Sequence, residues 1–320
     1  FGGPAAEYGY SVALAADGGY VIAGETYSFG SGLSDVYVIK ISSAGILQWS
    51  KFYGGAGYDW AHSICALSGG GFVVAGFTNS SGAGNYDAYV LRLDADGDSL
   101  WAYAYGSTTF DGARSVVQPG AGTLVVGGVT NRSPVKNNDA YLLGLDLDGQ
   151  LRWESVIGGS GSESINRLAS PTDGSVFAVG GSSSLSSGAE DFFFLQLNDD
   201  GDSLESSTFG ASSTDEARTA AAFKNLGMVV AGFSNSFGSQ SQVYVTRVDY
   251  DYICGDADGD RQISVTDAVF IIQYIFADGP APLPLLSGDA DCSQQLEVSD
   301  AVYLIQYIFA DGPAPCETCP

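Results

Sequence analysis

The sequence predicts an all-β repeat domain followed by a small helical module, and three observations predict it. A 52-residue period runs through residues 1–249 without an insertion. Each period reads as short strands separated by turn signals. From residue 254 the pattern changes to two acidic loops, each followed by the same apolar helical run.

The period is carried by several residue types at once. Phe1-Gly2, Tyr53-Gly54, Tyr105-Gly106, Ile157-Gly158 and Phe209-Gly210 follow it, and so do Gly24, Gly76, Gly128, Gly180 and Gly232. It also connects Trp49, Trp101 and Trp153. The acids Glu7, Asp59, Asp111, Glu163 and Asp215 keep the step, as do Asp35, Asp87, Asp139 and Asp191, where Val243 breaks the series. An unbroken step of this kind marks one structural piece stacked on its neighbours.

In the first unit the strands are expected at 10–15, 20–26, 35–41 and 46–53. Between them lie Ala16-Asp17-Gly18-Gly19, the Gly/Ser run 28–32 and Ser42-Ser43-Ala44-Gly45. Four strands in a unit of this length is the pattern of a propeller blade, so the expected fold is an all-β five-bladed β-propeller over 1–249. A stacked β-solenoid is the alternative, because a period does not prove closure. The fifth unit has strands near 217–223, 227–234 and 242–249 but no fourth strand with its tryptophan. A partner's strand, residues upstream of Phe1, or a plain three-stranded blade would each account for that. The segment Gln242–Val248 alternates side chains with few charges and no proline, a poor design for a bare edge and a candidate assembly point.

The helical module spans 254–320. Gln-Tyr-Ile-Phe-Ala-Asp-Gly-Pro-Ala-Pro occurs at 273–282 and again at 306–315. The first copy follows a loop that opens at Asp256, Asp258 and Asp260 and closes at Asp267. The second follows Asp289 and Asp291 and closes at Asp300. Acids at loop positions 1, 3, 5 and 12, with the backbone carbonyl of position 7, converge oxygens as a hard cation such as Ca2+ requires. Val265, Val269, Ile272 and Phe276 recur at helical spacing, as do Val298, Val302, Ile305 and Phe309, and these two stripes are expected to pack on each other. Gly279-Pro280 and Gly312-Pro313 stop the helices. Cys254, Cys292, Cys316 and Cys319 form an even set in a small acidic module, which reads as two disulfides in an oxidising compartment. Zinc at the Cys316-x-x-Cys319 pair is the rival. Cys65 lies in an apolar run and reads as a buried free thiol.

The duplicated loop–helix unit resembles a dockerin domain, a small helical domain with two EF-hand-like Ca2+ loops. The resemblance covers 254–320 and implies two Ca2+ ions and binding to a cohesin-like domain of a protein partner. By that motif the first ion would be held by Asp256, Asp258, Asp260, the carbonyl of Gln262, and Asp267. The second would be held by Asp289, Asp291, Ser293, the carbonyl of Gln295, and Asp300. Val265, Thr266, Val298 and Ser299 stand where recognition residues would lie. This chain departs from the motif at position 6, where Arg261 and Gln294 replace the usual glycine, and at Ser293, which leaves the second loop one carboxylate short. A non-glycine residue held left-handed costs about 1 kcal/mol. The duplication would bring the tail back near Cys254, with one of Cys316 and Cys319 bonded to Cys254 and the other to Cys292. The strings Asp17–Thr26 and Asp35–Lys40 resemble a bacterial family of secreted propeller repeats, a likeness that covers 1–249 and speaks to fold.

Charge narrows the function. There are 37 acidic and 12 basic side chains, for a net charge of −25. Nucleic-acid binding needs basic patches, which such a chain lacks. Membrane insertion is not expected, because no run approaches 18 apolar residues. The chain starts at Phe1 without an initiator Met and is expected to be a mature product, extracellular or on a bacterial cell surface. Asn79-Ser80-Ser81 and Asn131-Arg132-Ser133 match the glycosylation sequon.

No enzyme is expected. His62 is the lone histidine and occupies a variable repeat position shared with Tyr10, Arg114, Asn166 and Arg218. The innermost strands, expected at 10–15, 62–67, 114–118, 166–170 and 218–223, contain no acid, whereas a glycosidase needs a carboxylate pair. The recurring acids are expected to cap turns by accepting backbone N–H bonds, with a cation-binding ring at a channel mouth as the alternative. The resulting expectation is a secreted, non-enzymatic assembly protein whose Ca2+-bound module docks a cohesin-like domain or neighbouring copies of itself. A glycan-binding propeller tethered by its dockerin-like module is the second reading, and a glycoside hydrolase is the third.

Overall fold

The computed structural model describes all residues except 133–136, 172–174, 187–188, 199–200, 202, 224–226, 238–239, 250–253, 259–261, 278, 283–284, 311 and 317–320. The chain divides into two compact units. The first comprises Phe1–Ser170, Val176–Ala221 and Val230–Thr246, and the second Pro171–Ser175, Ala222–Val229 and Arg247–Pro320. No helix among the described residues is long and apolar enough to cross a membrane.

Every 52-residue period forms one antiparallel meander. The first sheet is β1 (Glu7–Leu14), β2 (Tyr20–Thr26), β3 (Asp35–Ile41) and β4 (Leu47–Tyr53), paired in that order. The second is β5 (Asp59–Ala66), β6 (Phe72–Thr78), β7 (Asp87–Leu93) and β8 (Ser99–Tyr105). The third is β9 (Asp111–Gly120), β10 (Thr123–Thr130), β11 (Asp139–Asp146) and β12 (Leu151–Ile157), and the fourth is β13 (Glu163–Ala169), β14 (Val176–Ser182), β15 (Asp191–Leu197) and β16 (Ser203–Phe209). The fifth has three strands, β17 (Asp215–Phe223), β18 (Gly227–Ser234) and β19 (Gln242–Asp249), with β19 at an edge. Val243 and Val245 on β19 are 84% and 60% exposed.

Neighbouring sheets share apolar cores. Val36 and Val38 of β3 are fully buried against Ile64, Phe72, Val74 and Leu91 of the second sheet. The same positions one period on, Ala88 and Val90, meet Val116, Leu124, Val126 and Leu143. First strands are also joined through hydroxyls. Ser11 Oγ accepts from the Ile64 N–H at 3.2 Å, Ser63 Oγ from Val116 at 3.2 Å, and Ser115 Oγ from Leu168 at 3.0 Å.

The structure explains the recurring residues. Gly24, Gly76, Gly128, Gly180 and Gly232 lie where the first and second strands approach most closely, and a Cβ there would sit 1.7 to 1.9 Å from the facing carbonyl oxygen. Gly54, Gly106 and Gly210 each fill a gap between two carboxylates: a Cβ on Gly54 would be 2.6 Å from both Asp35 Oδ1 and Asp59 Oδ2. The Trp101 indole N–H bonds the Leu147 carbonyl of the next sheet at 2.8 Å, and Tyr105 donates to the Gly149 carbonyl at 2.6 Å.

The recurring acids cap turns. Asp59 accepts from the Gly55 N–H at 2.8 Å, Asp111 from Ser107 at 2.6 Å, Glu163 from Gly159 at 2.9 Å and Asp215 from Ala211 at 2.9 Å. Asp35 and Asp87 likewise hold the N–H groups of Gly32 and Gly84, both at 3.0 Å. One sequence expectation fails here. Each first strand begins three residues earlier than its pattern suggested, at the recurring acid itself, so the innermost strands do contain carboxylates, Glu216 of β17 among them. Their acid-free character is no argument against hydrolysis.

In the second unit, α1 (Val265–Phe276) and α2 (Val298–Phe309) pack together. Their core is two copies of one residue set, 33 positions apart: Ala257 and Ala290, Ala268 and Ala301, Ile271 and Leu304, flanked by Phe270 and Tyr303 and by Ile275 and Ile308. The expected core stripes are not in it. Val265, Val269, Ile272 and Phe276 are 46%, 46%, 40% and 71% exposed, and Val298, Val302, Ile305 and Phe309 are 39%, 48%, 40% and 70% exposed. Each helix is apolar on two sides, and the side carrying the loop-closing aspartate faces inward.

Candidate metal loops, docking face and inner strands

The two acidic loops each converge three carboxylates. Oxygens of Asp256, Asp258 and Asp267 lie within 4.8 Å of one another, and the same is true of Asp289, Asp291 and Asp300. Asp256, Asp267, Asp289 and Asp300 are buried. The loop-closing aspartate does two jobs. Asp267 Oδ1 accepts from the N–H groups of Ala257 and Asp258 at 2.8 and 3.2 Å, while Oδ2 accepts from Ser264 at 2.7 Å and so caps α1. Asp300 repeats this, accepting from Asp291 at 3.2 Å and Glu297 at 2.8 Å. A carboxylate at that place also complements the helix dipole.

The second loop is described in full. Asp289 accepts from the N–H groups of Ser293 and Gln294 at 3.0 and 2.8 Å, and the Ser293 hydroxyl donates to the Gln295 carbonyl at 3.1 Å. The carboxylates of positions 1, 3 and 12 thus converge, and the position 5 hydroxyl is bonded to the position 7 carbonyl. Gln294 takes the left-handed conformation at φ 66°, the strained substitution for glycine that the sequence implied. In the first loop Asp260 and Arg261 lie outside the described residues, and Gln262 is exposed.

The donor set fits a hard cation. All charged donors in both triads are carboxylate oxygens, the chemistry that Ca2+ takes and that soft metals do not favour. Among the described residues no Lys or Arg pairs with Asp289, Asp291 or Asp300. Burial pushes the Asp267 and Asp300 carboxyls above their usual range, a cost that a bound cation would offset.

Cys292 is bonded to Cys316 and Cys254 is also disulfide-bonded, which removes zinc at the tail pair. Cys319 lies outside the described residues. Cys65 is free but only half-buried.

His62, on β5, sits among aromatic rings. Its Nε2 accepts from the Trp60 indole N–H at 3.0 Å, and its ring lies 5.4 Å from Tyr10 and 5.0 Å from Phe77. Burial, with Arg114 adding to it, pushes its pKa down to about 4. An unfolded chain protonates the same group near 6.5. The unfolded state therefore binds the extra proton between these values, so stability is level above about pH 6.5 and falls as pH drops towards 4. Denaturation between pH 8 and 5 should show a decline of up to one proton's worth below pH 6.5. His62→Gln should abolish it, and an unchanged profile would show that the ring protonates freely in the fold.

No protein-family model matches the chain. The regulatory protein FlaEY of Caulobacter vibrioides is 29% identical over 163 residues, covering 43% of this chain and 17% of that protein. The chain thus spans less than a fifth of this curated relative. Among solved structures, the Neurospora crassa Pan2 WD40 domain has 13% identity and a TM-score of 0.43, covering 77% of this chain and 81% of that one. A thermostable family-43 glycoside hydrolase has 10% identity and a TM-score of 0.44, with 78% and 92% covered. An acylaminoacyl peptidase of Pyrococcus horikoshii has 10% identity and a TM-score of 0.44, with 78% and 40% covered.

Proposed function

We propose that the protein is a secreted, non-enzymatic assembly component in which a five-bladed propeller is carried by a dockerin-like module that binds two Ca2+ ions and docks a cohesin-like domain. The observation that carries this reading is the exposed apolar stripe present on both helices. Phe276 and Phe309, 71% and 70% exposed, occupy the same place one duplication apart. Large apolar side chains left open in register on an acidic domain fit an interface core better than a solvated surface. The Ca2+ loops would hold the first turn of each helix through Asp267 and Asp300, and so fix the stripes for docking. An extracellular setting agrees with the disulfide. The non-enzymatic reading rests on the recurring acids that open the first strands: Asp59, Asp111, Glu163 and Asp215 are already engaged with the N–H groups of their own turns.

The test is surface plasmon resonance of the 320-residue chain against purified cohesin-type domains, with sedimentation to detect self-association. Binding should require Ca2+. Phe276→Asp combined with Phe309→Asp should weaken it at least 100-fold, about 2.7 kcal/mol or more, with the Ca2+-bound fold retained by circular dichroism. A chain that binds no cohesin-type domain and stays monomeric in Ca2+ would contradict the docking role.

A further inference from the structure

Repetition separates what the fold requires from what it leaves free. The glycines, caps and apolar positions described above recur at every period. The fourth residue of each first strand does not: it is Tyr10, His62, Arg114, Asn166 and Arg218. In the first four sheets this residue is the extra one of a β-bulge. Pairing passes from Gly9 to Ser11, from Ala61 to Ser63, from Ala113 to Ser115 and from Ile165 to Arg167. A bulge gives up a ladder position and re-aims a side chain. Part of its use is structural, because it turns Ser11, Ser63 and Ser115 onto the next sheet's N–H groups. The bulged side chain has no such repeating duty, yet the backbone presents one from each of the first four units.

These side chains form a continuous row with two chemistries. At one end the rings of Tyr8 and Tyr10 stack at 6.3 Å, Tyr10 stacks on His62 at 5.4 Å, and Trp60 stacks on Phe77 at 5.3 Å. Tyr8 and Tyr10 are 51% and 47% exposed, and the Tyr10 hydroxyl bonds Glu25 at 2.7 Å. At the other end Arg114 donates to the Asn166 carbonyl oxygen, Asn166 donates to Glu216 at 2.8 Å, and Arg218 pairs with Glu216 at 2.8 Å. Glu190 faces this group, its carboxyl pushed up by burial and by Glu216.

We propose that this row is a binding site for a neutral oligosaccharide. A pyranose offers an apolar C–H face and a rim of hydroxyls. The exposed Tyr8 and Tyr10 rings suit the first, and planar amide, guanidinium and carboxylate groups suit pairs of the second. Arg114 and Arg218 stand against Glu25, Glu190 and Glu216, so the row has no net pull on an anion, which favours a neutral sugar over an acidic one. The inference does not depend on the docking role of the helices.

The test is calorimetric titration of the 320-residue protein in Ca2+ with hexasaccharides of cellulose, xylan, mannan, starch and polygalacturonate. At least one neutral hexamer should bind with a Kd below about 1 mM. Tyr10→Ala and Asn166→Ala should each weaken it at least ten-fold. Val12→Ala, on the same strand and 61% exposed, should leave affinity unchanged. Should Asn166→Ala fail to fold, Tyr8→Ala takes its place, since Tyr8 is open to solvent. Absence of binding by every hexamer, or affinity that survives both substitutions, would overturn the site. Preferential, salt-sensitive binding of the polygalacturonate hexamer would overturn the neutral-sugar assignment.

Discussion

Removal of Ca2+ by a chelator is expected to unfold the helical module and leave the repeat sheets folded. Among the described residues the module's core is small, six buried positions on two twelve-residue helices and the loops before them, and small modules of this kind depend on metals or disulfides. Each loop holds three carboxylates whose oxygens lie within 4.8 Å, and Asp267 and Asp300 are fully buried there. Burial raises the Asp267 and Asp300 carboxyls, a cation bound beside them offsets that cost, and the free energy of ion binding is in effect folding free energy. The disulfide between Cys292 and Cys316 ties the second loop to the tail but supplies no charge. The sheets, by contrast, have their own shared cores around Val38, Val90 and Leu142. Scanning calorimetry should therefore show two transitions, of which EDTA removes or lowers one by tens of degrees. Asp300→Ala should reproduce much of that loss in saturating Ca2+. A single transition indifferent to EDTA would sink the Ca2+ assignment.

Much of this arrangement was legible in the sequence, because an unbroken 52-residue step leaves little freedom in where strands and turns fall. The errors came where two physical readings share one pattern. In α1 the residues at 265, 269, 272 and 276 and those at 268, 271 and 275 both repeat at helical spacing. Bulk favoured the first set, yet Ala268 and Ile271 are the buried ones. The deciding signal was Asp267: a loop-closing ligand must face its own loop, and residues 268, 271 and 275 lie on its side of the helix. The first strands begin earlier than the pattern suggests because an acid before an apolar run reads as a turn residue. It is both, since Asp59 caps its turn through Oδ2 and opens β5. The bulges were not readable at all. An inserted residue leaves no compositional mark, and only the failure of Tyr10, His62, Arg114 and Asn166 to repeat hinted that this position answers to something other than the fold.

Gly128→Ala is expected to destabilise the repeat domain by about 3 kcal/mol or more, while Gly120→Ala in the same sheet changes it by less than about 0.5 kcal/mol. Both glycines belong to the β9–β10 pair, and neither has a left-handed backbone, so conformational freedom does not distinguish them. Space does. A Cβ on Gly128 would lie 1.9 Å from the Gly112 carbonyl oxygen and 3.0 Å from Ala113 Cα. Those atoms are main chain, beside the bulge at Arg114, and cannot move without opening the Gly128–Ala113 pairing. A Cβ on Gly120 meets nothing within 4 Å. The bulge itself brings the strands together at Gly128, and the same approach recurs at Gly24, Gly76, Gly180 and Gly232. The missing side chain is thus the condition for presenting the bulged residue. Denaturant titration of the two variants separates these effects, with the EDTA-sensitive transition as an internal control that should not move. Gly128→Ala with near-parental stability would show that the strands can separate at this point, and the glycine period would then need another cause.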